Sequence, residues 1–339
     1  MGKDLWKRLR QSQYTGTCLA LLIMAVLQTL SLGFHQGSFG AWWNNWFGNW
    51  INILRGNAFV GMIALGMTFV IITGGIDLAV GSTLVAVGAV VMTLLDTGAG
   101  SPLSLARYGI TGIPAIVMAI AAGLAVGGGI GSLIGLAVTK GRVPPFIVTL
   151  GAMYILRSVT QYFTQSYAPK LPLAFTRISN AMIGGQRILP IVYWFVLAGM
   201  MYVLSKHTRF GRHIFAVGSN ERATRLSGIS VDWVKFRVYG LMGLVIAVAS
   251  IAQIARYNGM DYASSGNGYE LDAIAAVVVG GTSMSGGRGS IVGTVLGMLI
   301  IGVMNNLLIL MGVDSFLSNA FKGAIVIAAV LLQHKEREA

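Results

Sequence analysis

The sequence predicts an all-α, polytopic membrane protein of about ten transmembrane helices with both termini on the cytoplasmic side. Three observations lead there. Of 339 residues, 55% are hydrophobic and 10% charged, against roughly 25% charged in soluble domains. Apolar runs long enough for a hydrocarbon layer of about 30 Å recur along the chain. Basic residues gather in the connections, above all in residues 205–237, and basic connections stay on the cytoplasmic side. The net charge of +13 therefore reads as orientation and not as a nucleic-acid stripe.

The chain reads as one transmembrane domain over residues 1–339. Residues 1–15 form a cytoplasmic segment whose leading part carries Lys3, Lys7, Arg8 and Arg10. A first span follows from about Gly16 to Leu32, with no small-residue cleavage site after it, so it is a retained span. Cys18, the only cysteine, leaves no intrachain disulfide and no cysteine metal site. In the run FGAWWNNWFGNW, Phe39, Trp43, Trp46 and Trp50 recur at helical spacing. That suits a helix in the membrane interface, where indole is both apolar and hydrogen-bonded; an aromatic platform for a sugar is the alternative.

Further spans are predicted near 54–73, 78–95, 113–138, one opening at Pro144-Pro145, 188–204, 238–255, 270–283 with a break, 291–311 and 316–332. The connections 96–112, 164–187 and 256–269 fall outside. The span near 113–138 has Gly123, Gly127, Gly131 and Gly135 four apart, which allows a close helix approach, either within the chain or between copies. The tail 333–339 is polar and cytoplasmic. On this topology 16 of the 24 Lys and Arg residues lie inside.

The longest polar interval, 205–237, carries Lys206, Arg209, Arg212, Arg222, Arg225, Lys235 and Arg237. A short helix inside it has both ends marked. Ser219 or Asn220 caps the start, Glu221 suits the first turn, and Gly228 closes the end in a left-handed conformation. A docking element and a solvated loop with one helical turn both fit this pattern.

Two Gly-rich breaks echo each other: VIITGGIDLAVGS with Gly74 and Gly75, and AVVVGGTSMSGGRGS with Gly280 and Gly281. An even number of spans separates them, so a repeat would be parallel. Irregular backbone at membrane depth must be buried in protein or line a cavity, so both breaks are expected on a translocation path. Asp77, in the first break, reads as an N-cap or as an ionisable path residue, and the two roles can coexist. Glu270 and Asp272 suit a helix N-terminus. Asn57, Thr68, Thr73 and Asp77, with Thr282 and Ser283 from the second break, are the candidate path side chains.

Several chemistries are missing. No G-x-x-x-x-G-K-[ST] loop cradles a nucleotide. The four histidines form no metal motif, and no G-x-S-x-G elbow occurs. Neither catalytic nor metal-ligating residues are expected, and no cofactor. Charges within spans are few, Arg157 being the clearest, which argues against a proton- or sodium-coupled carrier.

Four stretches carry a family resemblance: Asn57 through Gly81 (N-x8-G-M-T-x-V-I-x-x-G-G-I-D-L-x-V-G), Pro144 through Gly151, Thr208 through Ile229, and Glu270 through Thr294. The chain resembles the permease subunits of bacterial ABC importers for simple sugars: the ribose, xylose, arabinose, galactofuranose and autoinducer-2 group. The resemblance implies a pore of two permease subunits, identical or related. It also implies a separate ATPase that binds the ATP, a periplasmic or lipid-anchored sugar-binding protein, and a place in the bacterial cytoplasmic membrane. The capped helix matches the family's coupling helix, so Gly218, Asn220, Glu221, Arg222, Ala223, Arg225, Leu226, Ser227 and Gly228 become the expected ATPase-facing set. The family often has a second alanine where this chain has Thr224. The alternative function is a stand-alone carrier or facilitator for a small polar solute.

Overall fold

The computed structural model describes residues 15–33, 38–98, 101–165 and 167–314, with 317, 320, 321, 323, 324 and 327 beyond them. The basic N-terminal segment, the tail, His35 and most of the last expected span lie outside the described residues. Among the described residues the structure is helical, apart from an isolated bridge between Ile183 and Gln186. The α-helices are α1 (Thr15–Ser31), α2 (Phe39–Ile72), α3 (Val80–Leu95), α4 (Gly112–Thr139), α5 (Pro145–Thr164) and α6 (Leu173–Asn180). After these come α7 (Leu189–His207), α8 (Arg209–Ser219), α9 (Glu221–Leu226), α10 (Val231–Tyr257), α11 (Tyr269–Val279) and α12 (Ile291–Leu310). Five of them, α2, α4, α7, α10 and α12, are long and apolar enough to cross a membrane; α1 and α3 are shorter apolar helices.

α2 is the axis of the fold. Every residue from Ala58 to Ile72 is buried, and α10, α12, α7 and α11 pack around it. The Trp-rich segment does not form a separate interfacial helix. Ser38 caps a single helix of 34 residues by accepting from the Ala41 amide. No proline interrupts 39–72; Trp42 stacks on Trp46, and Trp46 meets Trp50 edge to face. Trp46 donates its indole N–H to Thr29 of α1 at 3.0 Å. Gln28, Asn49 and Asn306 join α1, α2 and α12 in one amide cluster. These contacts give the aromatic run a packing role.

The glycine row of α4 packs within the chain. A Cβ at Gly127 would lie 2.6 Å from the Gly243 carbonyl oxygen, and one at Gly131 would overlap the Tyr239 carbonyl. α4 and α10 therefore meet backbone to backbone, the close approach that small residues permit.

One connection departs from the expected topology. Residues 256–269 do not stay beyond the helix ends. After α10 the chain turns at Asn258, whose φ is +58°, and folds back along α3. A Cβ at Gly88 would touch Met260, and Gly81 and Gly266 approach through their backbones. α11 starts only there and has 11 residues, about 16 Å at 1.5 Å per residue. It is a half-length helix preceded by a re-entrant segment, not a full span. Arg157 holds that segment in place, donating to the carbonyls of Tyr262 (3.0 Å) and Ser265 (2.8 Å) and to Asn267 Oδ1 (2.9 Å).

Candidate coupling surface and translocation path

Helix α9 is short and closed at both ends. Asn220, not Ser219, is the cap: its Oδ1 accepts from the Ala223 amide at 2.9 Å. Glu221 lies in the first turn. At the other end the Gly228 amide donates to the Arg225 carbonyl and the Ile229 amide to the Thr224 carbonyl, with Gly228 at φ +79°. These two bonds are the paired closure of a Schellman turn, which needs a residue tolerant of positive φ. Six residues of isolated helix would not hold in water; the caps and two ion pairs to α10 hold these. Arg225 meets Asp232 at 2.6 Å, and Lys235 meets Glu221.

The ion pairs decide what α9 can offer a partner. Glu221 and Arg225 are engaged with α10. Thr224 is the one buried residue of the helix and donates its hydroxyl to the Asn220 carbonyl at 2.7 Å. Arg222, Ala223, Leu226 and Ser227 are exposed, and Leu226 keeps 84% of its surface. Leu226 is thus an apolar side chain left open on a polar helix tethered to α10.

Behind α9 three backbones converge. The Gly287 amide donates to the Ile72 carbonyl at 2.9 Å. A Cβ at Gly218 would overlap that carbonyl oxygen and lie 2.6 Å from the Gly287 nitrogen. One at Gly286 would lie 2.9 Å from Ile72 O and 3.1 Å from Gly218 O. The end of the central helix, the second Gly-rich break and the residue three before α9 thus share one contact. The similarity between the two breaks is accompanied by direct contact at the junction.

The candidate path side chains are mostly enclosed. Thr68, Thr73, Asp77 and Thr282 are buried. Thr68 Oγ1 lies 2.7 Å from Thr294 Oγ1, tying α2 to α12, and Thr73 donates to the Val70 carbonyl at 2.9 Å. Asp77 accepts from the Ala79 amide at 2.9 Å, while Ala79 occupies the N-cap position of α3. Asn57 and Ser283 are half-buried, and among the four paired glycines only Gly74 and Gly281 are exposed. None of these residues lines the cavity of about 940 Å³ between α3, α4 and α5, whose walls include Thr93, Thr160, Phe163, Tyr167 and Tyr262. Among the described residues no three His, Cys, Asp or Glu side chains gather to hold a metal ion.

Residues 49–330 match the family model described as the branched-chain amino acid transport system / permease component. The chain belongs to this permease family. It is 40% identical to the ribose import permease protein of Escherichia coli strain K12 over 324 residues, 94% of this chain and 92% of that one. It is 41% identical to the ribose import permease protein of Bacillus subtilis strain 168 over 85% of each chain. The xylose transport system permease protein of E. coli K12 is 33% identical over 82% of this chain and 83% of its own. No solved structure matches the chain.

The matched range contains α9, the glycine junction, every candidate path residue and the re-entrant segment. That segment is what reasoning from the sequence missed. Two signals for it were present: an apolar stretch of only 10–14 residues is too short to span, and a lone arginine within a span calls for buried carbonyl partners. The hydrogen bonds of Arg157 to 262–267 answer the second of these signals.

Proposed function

We propose that this permease is the membrane subunit of a bacterial ABC importer for a simple sugar of the ribose type. It would lie in the cytoplasmic membrane as one of a pair, identical or related, with about ten crossings and both termini inside. A separate ATPase supplies the energy, and a sugar-binding protein outside the membrane supplies the substrate. The observation that carries this reading is 40% identity to a ribose import permease over 94% of the chain. α9 is the element proposed to dock into the ATPase, through Arg222, Ala223, Leu226 and Ser227. Gly218, Asn220, Glu221, Arg225 and Gly228 set its position.

The geometry supports the following mechanism. An ATPase that closes on ATP would move α9. α9 is rigid for its length because its caps and ion pairs leave it no free end. Its motion passes through the Gly218–Ile72–Gly287 contact into the central helix and into the connection between α11 and α12. Both sets of helices would then tilt together and exchange the open side of the path. The permease residues bind no nucleotide in this scheme, and no cofactor enters it.

The test is purification from the native host in mild detergent, with co-purifying proteins identified by mass spectrometry. The intact chain is expected to bring down an ATPase. A chain with Arg222→Glu and Leu226→Ala, folded and at normal yield, is expected to lose it. Sugar uptake by proteoliposomes containing this chain alone would favour the stand-alone carrier instead.

A further inference from the structure

The re-entrant segment places polar side chains where the membrane interior should be. Arg157 is 12 residues from the start of α5 and 7 from its end, about 18 Å and 10 Å along the axis. Taken as the span that the sequence predicts from Pro144-Pro145, α5 would carry Arg157 in the middle third of a layer of about 30 Å. Its side chain reaches Tyr262, Ser265 and Asn267, so these residues share its depth. Gly266 lies beside Gly81 at the start of α3, 14 residues or about 21 Å below the other end of that helix.

At this depth Asp261, Ala263, Ser264 and Asn267 are exposed on the chain. Irregular backbone and a carboxylate cannot face lipid tails; they must face protein or water. The segment also borders the cavity of about 940 Å³ through Tyr262. That volume admits a monosaccharide and its water, and Thr93, Thr160 and Tyr167 add hydroxyls to a largely apolar wall. An aromatic ring among scattered hydroxyls suits a neutral polyol, which has apolar C–H faces and many weak hydrogen-bonding groups.

We propose that residues 259–267 form a wall of the sugar path at mid-membrane, with Asp261, Ser264 and Asn267 as its hydrogen-bonding face to sugar hydroxyls and Arg157 as the residue that positions it. This rests on the sugar-importer reading above and adds the location of the path. Two features favour water over a second protein copy on this face. It carries the Asp261 carboxylate, which is costly to bury against another protein surface without a partner charge, and it continues into a cavity.

The experiment uses the full complex in membrane vesicles, in a Cys18→Ser background that removes the only cysteine. Single cysteines are placed at Ala263 and Ser264, and at Ile23 on the exposed apolar face of α1 as a lipid-facing control. A membrane-impermeant methanethiosulfonate is added with and without ribose and its binding protein. Ala263→Cys and Ser264→Cys are expected to label, Ile23→Cys to stay unlabelled, and sugar with binding protein to slow loop labelling at least fivefold. Absence of labelling at both loop positions, in vesicles that still import ribose, would place the segment against protein or lipid and overturn the proposal. Labelling that the sugar leaves unchanged would remove the sugar contact. If the parent complex imports none of a panel of sugars, the importer reading fails instead, and the labelling result reports on water access alone.

Discussion

Replacing Gly218 by alanine tests the link between α9 and the central helix. Gly218 lies inside α8 with a negative φ, so alanine is conformationally welcome there and gains about 1 kcal/mol of helix propensity. The cost is steric. The new methyl would overlap the Ile72 carbonyl oxygen, and the Gly287 nitrogen would have to move from 2.6 Å to at least 3.4 Å to regain ordinary contact. Both neighbours are backbone atoms, so no side-chain rotation relieves the contact. Forced overpacking costs about 1–3 kcal/mol, and losing the Gly287-to-Ile72 hydrogen bond adds about 1 kcal/mol. The net expectation is a loss of about 1–3 kcal/mol, concentrated three residues before α9. The assay is thermal unfolding in detergent together with sugar import and ATP hydrolysis by the reconstituted complex. Gly218→Ala should melt earlier and import less sugar per ATP hydrolysed. Gly199→Ala, on α7 with nothing within 4 Å of its Cβ position, should match the parent. A Gly218→Ala complex with parental melting and parental coupling would show that the junction is loose and that movement of α9 does not pass through it.

Other outcomes follow from the same geometry. Asn220→Ala removes the α9 cap and should cost about 1 kcal/mol, read as weaker retention of the ATPase during purification. Thr68→Val and Thr294→Val, made singly and together, should show a coupling near 0.6 kcal/mol, the average for hydrogen bonds between membrane helices, in a double-mutant unfolding cycle. Asp96, at the end of α3, accepts from the amides of Gly98 (2.9 Å), Ser101 (3.2 Å) and Lys170 (2.9 Å) and from the Tyr167 hydroxyl (2.8 Å). Burial pushes its carboxyl up, and these donors outweigh burial and hold it below the ordinary value of 3.8. The sign is that of a depressed acid: its stabilisation is present above pH 3.8 and is lost as pH falls through the folded value. Asp96→Asn should therefore lower the melting temperature at pH 7 and flatten its fall as the pH drops below 3.8.

What the sequence made legible, and what it hid, divides along the range of the interactions. α9 was readable because a cap, a first-turn acid and a closing glycine act within ten residues, and Asn220, Glu221 and Gly228 occupy the positions that local chemistry demands. The glycine row of α4 was readable as a close approach, but not its partner, since only packing pairs Gly127 with Gly243. The Trp run was readable as a helix but not in its packing, because indole suits both an interface and a packed helix; the bond from Trp46 to Thr29 is a tertiary fact. The path was the hardest part. Polar residues within apolar runs drew attention to Thr68, Asp77 and Thr282, yet a buried hydroxyl or carboxylate is also what ties helices and breaks together, and here these groups are buried. A residue that must meet water at membrane depth cannot be told from a surface-loop residue by its type, because Asp261, Ser264 and Asn267 have an ordinary loop composition. Only the hydrogen bonds from Arg157 to the carbonyls of Tyr262 and Ser265 show that this polar stretch folds back against α5, and the proposed wall of the path is built on that contact.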